Sequence, residues 1–123
     1  MNNMKTIWKI FSAYILILFF MLVSNNAFGQ NICKEDICVV EFNAGWNESN
    51  GVDYLDDLTD CGIKRINIDK GDWQKKYNIV VVPTIIVFNG KEVERFQADL
   101  TFAIKATREN IQDVVDEILM EDF

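Results

Sequence analysis

The run Ile79-Val80-Val81-Val82-Pro83-Thr84-Ile85-Ile86-Val87-Phe88-Asn89-Gly90 decides how the chain is read. Its apolar, β-branched composition is that of a strand buried on both faces. It also holds the single proline of the sequence, and proline has no N–H to give to a sheet ladder. Both facts are satisfied if the strand starts at Pro83 and Ile79 to Val82 approach it as an extended segment, with Val82–Pro83 a candidate cis peptide. Asn89-Gly90 predicts a two-residue type I′ turn, and Glu92 to Gln97 returns as the partner strand.

Upstream, Val39 to Phe42 reads as a strand, apolar except for Glu41, followed by a loop from Asn43 to Gly51. Val52, Leu55 and Leu58 lie three apart and predict a short helix over 52–60, capped by Ser49 or Asn50. Asp53, Asp56, Asp57 and Asp60 fall on its outer side as a solvated acidic face; without a ligand loop they make only a weak calcium site. Ile63 to Ile68 alternates as a second strand. A second short helix within 69–78 puts Trp73 and Tyr77 one turn apart on a buried face. Thr107 is read as the cap of a last helix with Ile111, Val114, Val115, Ile118 and Leu119 as its apolar stripe. Residues 99–106 are the least readable stretch; Leu100, Phe102 and Ile104 alternate there.

The 123 residues allow one domain. Residues 1–29 run from basic (Lys5, Lys9) through apolar (Ile10 to Val23) to small residues ending at Ala27-Phe28-Gly29, the order of a secretory leader cleaved before Gln30. An uncleaved anchor is the alternative, since Ile7 and Trp8 could lengthen the apolar run toward the 20 or so residues of a span. The organisation expected is therefore a leader over 1–29, an extended arm over 30–37 and a folded domain over 38–123. The setting is export, to a bacterial periplasm, or an anchor facing it. Removing the leader takes away two lysines and no acid, so the charge moves from −7 to −9. So acidic a domain is a poor partner for nucleic acid. Membrane contact is expected only through an uncleaved leader.

There is no histidine. That excludes His-based acid–base chemistry, Ser-His and Cys-His nucleophiles and His metal sites; no metal and no cofactor is expected. Three cysteines remain, Cys33, Cys38 and Cys61. Cys38 and Cys61 each precede a strand, and adjacent parallel strands lie about 4.8 Å apart, so Cys38–Cys61 is the favoured disulfide. Cys33–Cys38 competes with it, and free thiols are the third case.

The order of strand, helix, strand, helix, two strands and helix predicts one mixed four-stranded sheet covered by helices. Together with three local patterns it resembles the thioredoxin family: Val40-Glu41-Phe42-Asn43-Ala44-Gly45-Trp46, Asn67-Ile68-Asp69, and Val82-Pro83-Thr84 through Gly90. The resemblance covers residues 38–120 and implies an α/β thioredoxin-like fold in a minimal βαβ-ββα form, without the family's amino-terminal strand and helix. It departs from the family at the site. Where the family places Cys-x-x-Cys after the tryptophan, this chain has Asn47-Glu48-Ser49-Asn50. Dithiol exchange needs an attacking thiolate and a resolving thiol; Asn47 and Asn50 instead suit a cap, and Ser49 has no base. Asn47-Glu48-Ser49 also matches a glycosylation sequon. Glu41 falls where the family keeps a buried acid and Arg65 where a basic partner reaches it, implying a buried ion pair.

No catalytic residue is expected from this pattern. The resemblance implies a peptide- or protein-binding, chaperone-like module. Its groove would be formed by Trp46, Val82, Pro83 and Thr84, with the Val82 backbone offered to an extended partner. The alternative is an atypical thiol–disulfide oxidoreductase acting through Cys33, Cys38 or Cys61, since fold alone does not fix function.

Overall fold

The structure, a computed structural model, describes residues 32–121; the expected leader and its cleavage point lie outside the described residues. Four strands form one sheet in the order β2-β1-β3-β4. They are β1 (Ile37–Asn43), β2 (Gly62–Asn67), β3 (Thr84–Asn89) and β4 (Glu92–Gln97). β1 runs parallel to β2 and antiparallel to β3, and β4 pairs antiparallel with β3. The mixed α/β sheet is the one expected, and β3 starts one residue past Pro83.

Period-two alternation along β1 builds two cores, one on each face. Ile37 and Val39 join Leu55, Leu58, Ile85, Val87, Ile111, Val115 and Ile118 in one cluster. Cys38, Val40 and Phe42 join Ile66, Ile79, Val82 and Ile86 in the other. Helix α2 (Arg108–Glu121) covers the first face through Ile111, Val115 and Ile118. Its start is a reciprocal cap: Asn110 N–H donates to Thr107 Oγ1 at 3.3 Å, and Thr107 N–H donates to Asn110 Oδ1 at 2.8 Å. The one-turn helix α1 (Trp73–Lys76) serves the second face. Trp73 stacks on Tyr77, and Tyr77 reaches Phe42 and Phe88 with ring centroids 5.2 and 5.7 Å away. Arg95 of β4 donates to the Tyr77 and Asn78 carbonyls at the end of α1, at 2.7 and 2.9 Å.

Three local expectations are corrected. Residues 52–60 form no α-helix; only Leu55–Asp57 makes a 3-10 turn. Asp53, Asp56, Asp57 and Asp60 would stand three or four apart on one helix face, where like charges repel, and aspartate favours caps over interiors. Side chains hold the segment instead. Gln112 exchanges two hydrogen bonds with the Thr59 backbone, at 2.9 and 3.1 Å, and Tyr54 Oη donates to the Ala106 carbonyl at 2.5 Å. The expected loop over 43–51 instead contains a 3-10 helix, Gly45–Asn50. The β3–β4 turn is not type I′: Gly90 has φ +76° but Asn89 does not enter the left-handed region, and Phe88 pairs with Glu92 across three residues.

Candidate functional site

β1 ends at Asn43, whose Oδ1 accepts the Ala44 N–H at 2.9 Å, and the chain turns into the 3-10 helix. Gly45 N–H donates to Asp69 Oδ2 at 2.9 Å. A Cβ at Gly45 would lie 2.9 Å from that same oxygen, so glycine permits the approach. This fixes Trp46, which is 66% exposed. Its ring meets Phe102 edge to face, centroids 5.1 Å apart. Phe102 sits at φ +61° in a self-bonded turn, where Phe102 N–H donates to the Asp99 carbonyl at 3.0 Å and Thr101 N–H to Asp99 Oδ1 at 2.8 Å. The hydrogen bonds from Thr101 hold the Asp99 carboxyl below its ordinary pKa.

Asn47 is 2% exposed and does not cap the helix. Its Nδ2 donates to the carbonyls of Val82 at 3.2 Å and Phe102 at 3.0 Å, and to Asn43 Oδ1 at 3.2 Å. Two N–H groups thus serve three oxygens. In return Asn50 Nδ2 donates to Asn47 Oδ1 at 2.8 Å, and Asn43 Nδ2 to the Asn47 carbonyl at 3.1 Å. The expected capping role of Asn47 and Asn50 is therefore replaced by a hub joining β1, the segment before β3 and the 99–103 turn. Buried in this way, Asn47 offers no glycosylation site, while Glu48 and Ser49 are exposed.

The Val82–Pro83 peptide is cis. A cleft of about 340 Å³ opens beside it, lined by Trp46, Asp69, Val80, Val81, Val82 and Phe102 among others. Pro83 and Thr84, expected in the groove, are buried beneath it. Thr84 Oγ1 donates to the Val81 carbonyl at 2.6 Å. The Val82 carbonyl is already engaged by Asn47, so what Val82 retains for a partner is its N–H, which has no hydrogen-bond partner among the described residues.

Glu41 is buried on the first face, with its side chain 5% exposed, while Arg65 is 42% exposed. The pair is therefore not buried on both sides: Arg65 sits at the rim because its position on the edge strand β2 faces solvent. Its Nε stands 3.7 Å from Glu41 Oε1, and its Nη1 donates to Asp56 Oδ1 at 3.3 Å. The shorter contact of Glu41 is to the Val52 N–H, 2.7 Å from Oε2. Burial pushes the Glu41 pKa up, further than the Val52 hydrogen bond and the Arg65 charge bring it down.

Cys33 is bonded to Cys38, Cα atoms 6.0 Å apart, and Cys61 is free. This corrects the Cys38–Cys61 pairing. In the sheet register Cys38 stands opposite Gly62, one residue past Cys61. Cys38 accordingly points into the second core while Cys61 packs against the first. Burial, then the charges of Asp60, Asp116 and Glu35, raise the Cys61 thiol pKa. Among the described residues no group of three potential metal ligands occurs, and no helix is long and apolar enough to cross a membrane.

Sequence reasoning missed the Asn47 hub. Its one signal is the 43, 47, 50 spacing of three asparagines around Trp46, too little to name partners 35 and 55 residues away.

No family model matches the chain, and no curated protein matches it. Solved structures do. Thioredoxin from Schistosoma mansoni is 24% identical over 70% of this chain and 80% of its own, with a TM-score of 0.53. A variant thioredoxin from Halobacterium salinarum is 22% identical over 68% and 74%, TM-score 0.52. The malaria parasite's thioredoxin-2 is 17% identical over 72% and 88%, TM-score 0.52. At these identities the likeness speaks for architecture alone: the chain has a thioredoxin-like fold, with a buried asparagine and no cysteine in the four residues after Trp46.

Proposed function

We infer that this is an exported thioredoxin-fold binding module, which holds an extended peptide or protein segment without a covalent step. The observation that carries the reading is Asn47. Directly after Trp46 the chain has an amide with both N–H groups committed to oxygens within the fold, and an amide neither attacks a disulfide nor resolves one. Beside it Trp46 and Val80 are left exposed around the cleft, the apolar surface an extended chain needs. The Val82 N–H supplies one backbone contact. In a periplasm, such a module would shield unfolded or extended segments.

The test uses residues 30–123 with reduced, carboxymethylated lactalbumin, which cannot refold. The chain is expected to bind it, with Trp46→Ser and Val80→Asp each weakening binding about tenfold, a loss on the order of 1.4 kcal/mol. Insulin reduction by the same protein is expected to stay at background. Binding unchanged in both variants would remove the cleft from the reading.

The Cys33–Cys38 bond favours a second reading, thiol–disulfide exchange at the far end of β1. It predicts insulin turnover that Cys33→Ser abolishes and Trp46→Ser leaves intact.

A further inference from the structure

A second cleft, of about 400 Å³, opens where the parallel strands β1 and β2 end. Glu41 and Asn43 line it from β1, Arg65 and Asn67 from β2, and Glu48 and Gly51 from the 3-10 stretch. Crevices at the carboxyl ends of parallel strands are a recurring place for ligands, and this volume is at the small end of ligand pockets.

The cleft exposes one acceptor atom of a largely buried side chain. Glu41 Oε2 is bonded to the Val52 N–H, but Oε1 has no hydrogen bond among the described residues. Its nearest cation is Arg65 Nε at 3.7 Å. Oε1 is on the cleft side: a Cβ on Gly51 would lie 3.6 Å from it, and both Gly51 and Arg65 are cleft walls. No side-chain oxygen shut off from solvent lacks a partner among the described residues, so Oε1 opens into the cleft and can take a donor there. Donors face the same space. Arg65 spends Nη1 on Asp56, which leaves Nη2 without a described partner. Asn67 uses its Oδ1 to accept the Asp69 N–H at 2.8 Å, which leaves its Nδ2 free among the described residues.

A ligand of one sign fits poorly. An anion would meet Glu41 and Glu48, and a cation would meet Arg65. A molecule carrying both signs on neighbouring atoms satisfies both walls. We propose that this cleft binds a free α-amino acid, its ammonium group donating to Glu41 Oε1 and its carboxylate accepting from Arg65 and Asn67. With no side chain at Gly51, the wall beside Glu41 Oε1 stays clear for the ligand. The site is separate from the Trp46 cleft and does not depend on the reading given to that cleft.

The test is calorimetric titration of residues 30–123 with each of the twenty standard amino acids at about 10 mM, a range suited to small ligands. For each binder, its deaminated acid and its decarboxylated amine are titrated alongside. At least one amino acid is expected to bind, both half-ligands to fail, and Glu41→Gln and Arg65→Met each to weaken binding roughly tenfold or more. Gly51→Ala, whose methyl group would stand 3.6 Å from Glu41 Oε1 and 3.2 Å from the Glu48 carbonyl, is expected to weaken it too. Melting curves on each variant show that it is folded. No binding by any of the twenty, equal binding of a half-ligand, or unchanged affinity in folded Glu41→Gln or Arg65→Met would overturn the proposal.

Discussion

The side-chain amide of Asn47 donates to the backbone carbonyl of Val82, 3.2 Å away and 35 residues on in the chain. One N–H-bearing group thereby ties the residue after Trp46 to the residue before Pro83. The same Nδ2 reaches the Phe102 carbonyl, so one side chain ties together three segments far apart in the chain.

Asn47→Ala leaves the Val82 and Phe102 carbonyls without this donor and is expected to cost about 1–3 kcal/mol. Asn47→Asp should cost more, because a carboxylate has no N–H and would face those oxygens as a buried charge. Asn50→Ala, which removes only a donor to Asn47 Oδ1, should cost about 1 kcal/mol or less. Urea denaturation of the three variants checks the order; equal losses would show that Asn47 is not the hub.

Glu41→Gln is expected to stabilise the ligand-free protein at neutral and alkaline pH. The Glu41 pKa is raised in the folded chain by burial. Below its ordinary value of 4.5 both folded and unfolded chains hold the proton, and the group contributes nothing to the balance. As pH rises past that value the unfolded chain releases its proton while the folded chain keeps it, so stability is lost through the window up to the raised folded pKa. Glutamine has no such window and keeps an acceptor for the Val52 N–H. Thermal melts from about pH 3 to pH 8 should show the variant's advantage growing with pH. A variant less stable at pH 8, or a difference constant with pH, would contradict it.

The oxidised chain should give one reactive thiol when unfolded and three after reduction. In the native state that thiol, Cys61, should alkylate slowly near neutral pH because its pKa is raised. The Cys33–Cys38 bond spans five residues, a short loop worth about 2 kcal/mol on chain-entropy grounds. Reduction should lower the melting temperature by on the order of 10 °C, and Cys61→Ser should not alter the response.

Phe102→Gly sets two effects against each other. The backbone at φ +61° suits glycine, a gain of about 1 kcal/mol. The edge-to-face contact with Trp46 is lost, about 0.5–1.5 kcal/mol. Stability should therefore change by less than about 1 kcal/mol. Trp46 fluorescence should shift to the red as water replaces the ring.

The strands, the break at Pro83 and the last helix were legible because each depends on local period and on one or two punctuating residues. Val39, Val40, Phe42, Ile85 to Val87 and the Ile111, Val115, Ile118 stripe lie in the cores. Residues 52–60 misled because the apolar spacing of Val52, Leu55 and Leu58 is compatible with a helix, while repulsion among four aspartates and the tethers from Tyr54 and Gln112 act against one. The disulfide misled because strand proximity says which cysteines are near, but only register says which face each takes. A one-residue offset, Cys38 opposite Gly62 instead of Cys61, sends the two thiols to opposite cores. The Asn47 hub was hidden for a different reason: its acceptors are backbone carbonyls, which carry no residue signature.

That offset has a wider meaning for β1. The strand has neighbours on both edges and a packed layer above and below, so it works as a key with a single setting. Deleting one residue between Val39 and Phe42 would turn every side chain beyond the cut to the other layer. Deleting Val40, for instance, would send the Glu41 carboxylate into the second core and the Phe42 ring out of it. Length changes can be absorbed in the turns around this strand, but within it the reading frame of the two layers is fixed.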